Sequence, residues 1–135
     1  MTLSALLYVG SGGALGAMSR YAVTLALARH GSALPLGTLI SNLLGCLIMG
    51  ALLQWLAEAD WFHGPSGANE HLRLLFAVGF CGSFTTLSAL IYEMSTLLNF
   101  NQAAQAFGYL LLSVIGGFLC FFAGIYLVRM LLPAS

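Results

Sequence analysis

Lysine is missing altogether, and the four arginines, Arg20, Arg29, Arg73 and Arg129, balance four acids to a net charge of zero. Charged residues make up 6% of the 135, against about a quarter in soluble domains, so a water-exposed globular surface is excluded. Without a basic patch there is nothing to hold a nucleic-acid backbone or an anionic lipid surface. Cysteine is also scarce. Cys46, Cys81 and Cys120 lie far apart inside apolar runs with no C-x-x-C pair, which reads as core packing rather than a disulfide framework or a zinc site. No basic stretch precedes the first apolar run, so that run is expected to stay as a membrane span instead of serving as a cleaved signal.

What is abundant is apolar sequence, 60% of the chain. Crossing a hydrocarbon core takes about 20 helical residues. Four runs qualify, at about 3–28, 36–57, 72–98 and 107–132, and they predict an all-α multi-pass membrane protein with one domain over 1–135. Pro35, placed for the first turn of a new helix, makes a tight hairpin of the first two spans. The stretch 58–73 reads as an aqueous loop, with Trp61 and Phe62 at headgroup level. His63 and His71, with Asp60 and Glu70, lie in it at no metal-ligand spacing. The middle of the third span reads GFCGSFTTLS, where glycines and hydroxyl residues predict a broken helix. Arg73 and Arg129 fall on the face that carries the termini, Arg29 on the other, and Arg20 within the first span past its midpoint. So small a bias leaves insertion in both directions open, and with it an antiparallel pair of copies.

Polar groups are costly at membrane depth, so the few there are informative: Arg20, Thr38, Asn42, Thr85, Thr86, Ser88, Glu93, Tyr109 and Ser113. Thr38 and Asn42 share one face of the second span, beside a small-residue strip of Gly37, Ser41 and Gly45; Tyr109 and Ser113 repeat the spacing in the fourth. Interhelical packing is one reading. The other is an anion path, because these stripes offer donors with no carboxylate on the same faces. Arg20 and Glu93 form an internal pair or face separate vestibules; spacing leaves both open. Gly12 and Gly16 form a G-x-x-x-G helix-packing signal in the first span.

GGALGAMSRY at Gly12 to Tyr21, GTLISNLLG at Gly37 to Gly45 and GFCGSFTTLS at Gly79 to Ser88 together resemble the Fluc (CrcB) family of bacterial fluoride channels, in the family's order and spacing. The resemblance implies four spans, the third broken in its middle, in an antiparallel dual-topology homodimer of the bacterial inner membrane, passing fluoride passively. It implies an ion pathway of Asn42, Thr38, Thr86, Leu87, Ser88, Leu90, Tyr109, Ser113, Glu93 and Arg20. It also implies a central structural sodium held by the backbone carbonyls of Gly82 and Thr85. The chain departs from the family's usual TTFSTF: it reads TTLSAL, with Leu87 and Leu90 at the phenylalanine positions and Ala89 at a hydroxyl position. Ser83 and Gly117 are further departures. A conducting variant, a subunit that needs a paralogue as heterodimer partner, and a chain altered at its pore all fit those departures.

Two other functions compete. A small four-span secondary transporter of the multidrug-resistance type relies on a glutamate in its first span, where this chain has Arg20 and no acid. A packing or holin-like membrane protein would pass no selective flux. An enzyme is not expected, since Glu93 is the only acid at membrane depth and no nucleophile with a base can be assembled.

Overall fold

The computed structural model describes residues 3–28, 34–58 and 68–132. It is helical, with no strand among the described residues. Helix α1 covers Leu3–Ala28 and α2 Leu36–Glu58. Helix α3 starts as an α-helical turn, Ala68–Leu72, widens into a π-helix over Arg73–Cys81, and ends in one more α-helical turn, Gly82–Phe84. After the break, α4 runs over Leu87–Asn99 and α5 over Ala103–Leu131.

Three stretches are long and apolar enough to cross a bilayer: Leu36–Glu58, Glu70–Asn99 and Ala103–Leu131. Helix α1 has the length, 26 residues, but Ser11, Gly12, Gly13, Ser19 and Arg20 dilute its apolar character. The predicted boundaries match these helices to within a few residues. Pro35 sits one position before α2 instead of inside it, where its carbonyl accepts from the Leu39 amide at 3.3 Å. The far end of the supposed aqueous loop is helical, because α3 begins at Ala68. There His71 stacks on Tyr8 of α1 with ring centroids 4.6 Å apart, so it packs against a neighbouring helix rather than lying in a loop. Asp60, Trp61, Phe62 and His63 lie outside the described residues.

Close backbone approach holds these helices together, as expected where lipid removes the hydrophobic drive between them. A Cβ on Gly12 would run into the Leu75 carbonyl, and one on Gly16 into that of Phe80, so the G-x-x-x-G pair seats α1 on the π-helical part of α3. Helix α2 meets α5 in the same manner, with Gly50 against Phe121 and Gly124 against Leu47. The buried core, Leu39, Leu90, Leu97, Ala106 and Tyr109, lies where α2, α4 and α5 converge.

The break falls at Thr85 and Thr86, both in extended backbone, and not at the glycines. Gly79 and Gly82 stay helical. Thr86 then starts α4 as its N-cap, its hydroxyl accepting from the Ala89 amide at 3.2 Å. Thr86→Ala is expected to cost about 1 kcal/mol of stability, with Thr86→Ser close to neutral, read by thermal unfolding in detergent. The turn into α5 is a Schellman motif: Asn101, at φ 58°, takes the left-handed position, and Gln102 and Asn101 donate to the Leu97 and Leu98 carbonyls. Asparagine tolerates that conformation where a β-branched residue would not.

Candidate functional site

A helix that stops inside a membrane strands its last carbonyls, and here their fates differ. The Thr86 amide, which would have bonded the Gly82 carbonyl, donates to Asn42 Oδ1 at 2.8 Å instead. The Ala89 amide, which would have reached the Thr85 carbonyl, is taken by the Thr86 hydroxyl. The Ser83 carbonyl accepts from Arg20 Nε at 3.3 Å. Gly82 and Thr85 are thus the two positions whose helical partners are diverted by a side chain. Gly82 lies exposed on the surface of the single chain, and a Cβ there would meet only the Ala77 carbonyl, at 3.8 Å.

Asn42 grips the break from α2. Besides accepting the Thr86 amide, it donates through Nδ2 to the Thr86 carbonyl at 3.2 Å, so one side chain ties both backbone groups of Thr86. Its second amide N–H has no partner among the described residues. Beyond the break Thr86 Oγ1 and Ser88 Oγ lie 3.0 Å apart. Leu87 projects outward, 69% exposed, whereas Leu90 is 3% exposed and belongs to the packed core.

One turn from Asn42, three helices meet on a carboxylate. Thr38 donates to Glu93 Oε1 at 2.7 Å and Tyr109 to Oε2 at 2.6 Å. Donor stripes free of carboxylate are therefore not what the fold builds: Glu93 of α4 turns inward and consumes the hydroxyls of α2 and α5. An internal Arg20–Glu93 pair is also replaced, since Arg20 Nε serves Ser83 and both Glu93 oxygens serve hydroxyls. Glu93 borders two clefts at the α2 start, of about 390 and 210 Å³, lined among others by Leu34, Pro35 and Gln102 in one and by Thr24 and Gly37 in the other.

Along α5, Ser113 is buried one turn past Tyr109 with no hydrogen-bond partner among the described residues. Ser41 of α2 is in the same condition, fully buried with an unpartnered hydroxyl. The sequence offers Ser41 only as part of a small-residue strip; its spacing of three from Thr38 was the available signal. Of the residues expected on an ion pathway, the fold brings together Asn42 with Thr86, and Thr38 with Glu93 and Tyr109, while Leu87 and Ser88 face outward.

Described residues that are helical, with long apolar spans of which one is broken and re-tied by polar side chains, make this a multi-pass integral membrane protein. The family described as CrcB-like protein, Camphor Resistance (CrcB), matches residues 7–125, and the chain belongs to that family. A protein of Chlorobium phaeobacteroides (strain BS1) named fluoride-specific ion channel FluC is 41% identical over 127 residues, 94% of each chain. Proteins of the same name from Prosthecochloris aestuarii and Francisella philomiragia are 39% and 37% identical, over 93% and 91% of this chain and 94% and 93% of their own lengths.

Proposed function

We propose that this chain is a subunit of a fluoride channel that lets the ion leave the cell passively, with α1 as the fourth span and two copies inserted in opposite directions in a bacterial inner membrane. The observation that carries the reading is the Asn42 clamp on the broken span, set in a chain so similar to proteins named as fluoride-specific channels. A strongly hydrated anion needs hydrogen-bond donors to replace its water, and the spare Asn42 N–H with the unpartnered Ser113 hydroxyl can supply them. The near absence of arginine bias supports dual insertion, and the exposed apolar faces of α4 and α5 leave room for a second copy.

The carbonyls of Gly82 and Thr85 fit a hard cation such as sodium, which takes oxygen ligands, because their helical partners are diverted and Gly82 lies on the outer surface. Two chains would present four such oxygens. When bound, sodium supplies a fixed positive charge that satisfies the stranded carbonyls and steadies the break.

The reading is tested by expressing the chain in a fluoride-sensitive bacterium without its own exporter. Growth at raised fluoride concentration is the expected result, and unchanged sensitivity with the protein in the membrane would oppose it. The leucines at 87 and 90 call for separate substitutions. Exposed Leu87 has room for phenylalanine, so Leu87→Phe is expected to raise fluoride efflux with stability unchanged. Leu90→Phe overfills a packed core and should cost about 1–3 kcal/mol. Efflux together with melting temperatures checks both.

A further inference from the structure

An arginine at membrane depth needs a partner, and the usual ones are a carboxylate, the backbone or water at the membrane surface. Arg20 is half-buried, and the carboxylate is closed to it: Glu93, the only acid at membrane depth, has both oxygens on hydroxyls. Its Nε donates instead to the Ser83 carbonyl at 3.3 Å, 63 residues away in the chain.

The packing of α1 on α3 builds this contact. Gly12 and Gly16 bring the α1 backbone onto the carbonyls of Leu75 and Phe80, and the same face carries Arg20 one turn further, to the level where α3 stops at Phe84. Helix α1 itself continues past that level to Ala28. A guanidinium therefore lies against the C-terminal end of α3, where the aligned peptide dipoles leave about half a negative charge. Arginine does not lose its proton in a protein, so this counter-charge is permanent. The carbonyl of Gly82, the neighbour of Ser83, belongs to the same helix end, so Arg20 and a cation held by Gly82 and Thr85 draw on one dipole.

We infer that Arg20 is a positioning residue of the break, a built-in cation that holds the end of α3 and, through its charge, weakens sodium binding at Gly82 and Thr85. The inference rests on the sodium reading above and adds the residue that sets its strength. Hydrogen bonding alone does not call for arginine, because a neutral amide donates to a carbonyl without the cost of placing a charge at membrane depth. At roughly 10 Å, about one helix diameter, and an effective dielectric of about 20, a unit charge alters the affinity for a cation about tenfold.

The test is thermal unfolding of the full chain in detergent while sodium chloride replaces N-methylglucamine chloride at constant ionic strength. The parent's melting temperature is expected to rise with sodium, and the concentration at which the rise begins reads the affinity. Arg20→Gln is expected to melt below the parent without sodium, and to begin its rise at about tenfold lower sodium. Arg20→Lys keeps the charge and should begin its rise within about twofold of the parent. Both variants are purified in sodium and exchanged before melting, so that the sodium-free state is read as well. An arginine that only packs would lower the melting temperature of Arg20→Gln and leave the sodium concentration unmoved. That result would overturn the inference, as would an Arg20→Lys protein that shifts like Arg20→Gln. A parent whose melting temperature ignores sodium would instead remove the sodium reading, and the part of Arg20 in it.

Discussion

Asn42→Ala is expected to reduce fluoride efflux about 10- to 100-fold or more, the rate equivalent of one hydrogen bond to an ion. The same substitution touches the fold. Asn42 accepts the Thr86 amide and donates to the Thr86 carbonyl, so alanine leaves a half-buried amide unpaired at a cost of about 1 kcal/mol. Asn42→Asp separates the acceptor from the donors: it keeps the oxygen that the Thr86 amide needs but sets a carboxylate against the Thr86 carbonyl and repels an anion. Efflux should be lost in both variants, and the melting temperature should fall in both. Parent-like efflux from Asn42→Ala would take Asn42 off the pathway.

The second large effect belongs to the α1–α3 contact. Gly12→Val should destabilise the protein by about 3 kcal/mol or more, because its Cβ would collide with the backbone carbonyl of Leu75, which has no rotamer to escape into. Gly10 offers the matched control, two residues away on the same helix, where a Cβ would find nothing within 4 Å. Gly10→Ala is expected to be neutral or to stabilise by up to about 1 kcal/mol through helix propensity. Thermal unfolding in detergent compares the two. A Gly12→Val protein that melts with the parent would show that α1 does not sit against α3 in this way.

Much of the architecture is legible in the chain because a bilayer leaves few solutions: length and apolarity place the helices, and a glycine-and-hydroxyl cluster marks the interrupted one. The site of the break is less legible. Glycine is a poor helix former and the first place to expect an interruption. Yet Gly79 is held in the helix by its closeness to Val9 and Gly12, and the chain opens at Thr85 and Thr86, where side chains offer substitute bonds. The π-helical stretch Arg73–Cys81 has no sequence signature of its own. It lies against Gly12 and Gly16, a contact between segments far apart in the chain.

In the site, spacing finds the stripes Thr38–Asn42 and Tyr109–Ser113 but not what they face. Glu93 lies on a different span, and only the packing of α4 against both α2 and α5 brings its carboxylate to both hydroxyls. The fate of Ser41 depends on long-range packing as well. A serine four residues from two glycines is indistinguishable in sequence from a spacer, and its burial emerges only when α1 and the end of α3 close over the stripe that it shares with Gly37 and Gly45.

The most direct test of the central claim is fluoride efflux from liposomes containing this chain alone, followed with a fluoride electrode, with chloride as the companion anion. Rapid efflux of fluoride, with chloride retained, is the predicted result, and it requires no second gene product. Retention of fluoride by liposomes that contain well-folded protein would contradict the claim.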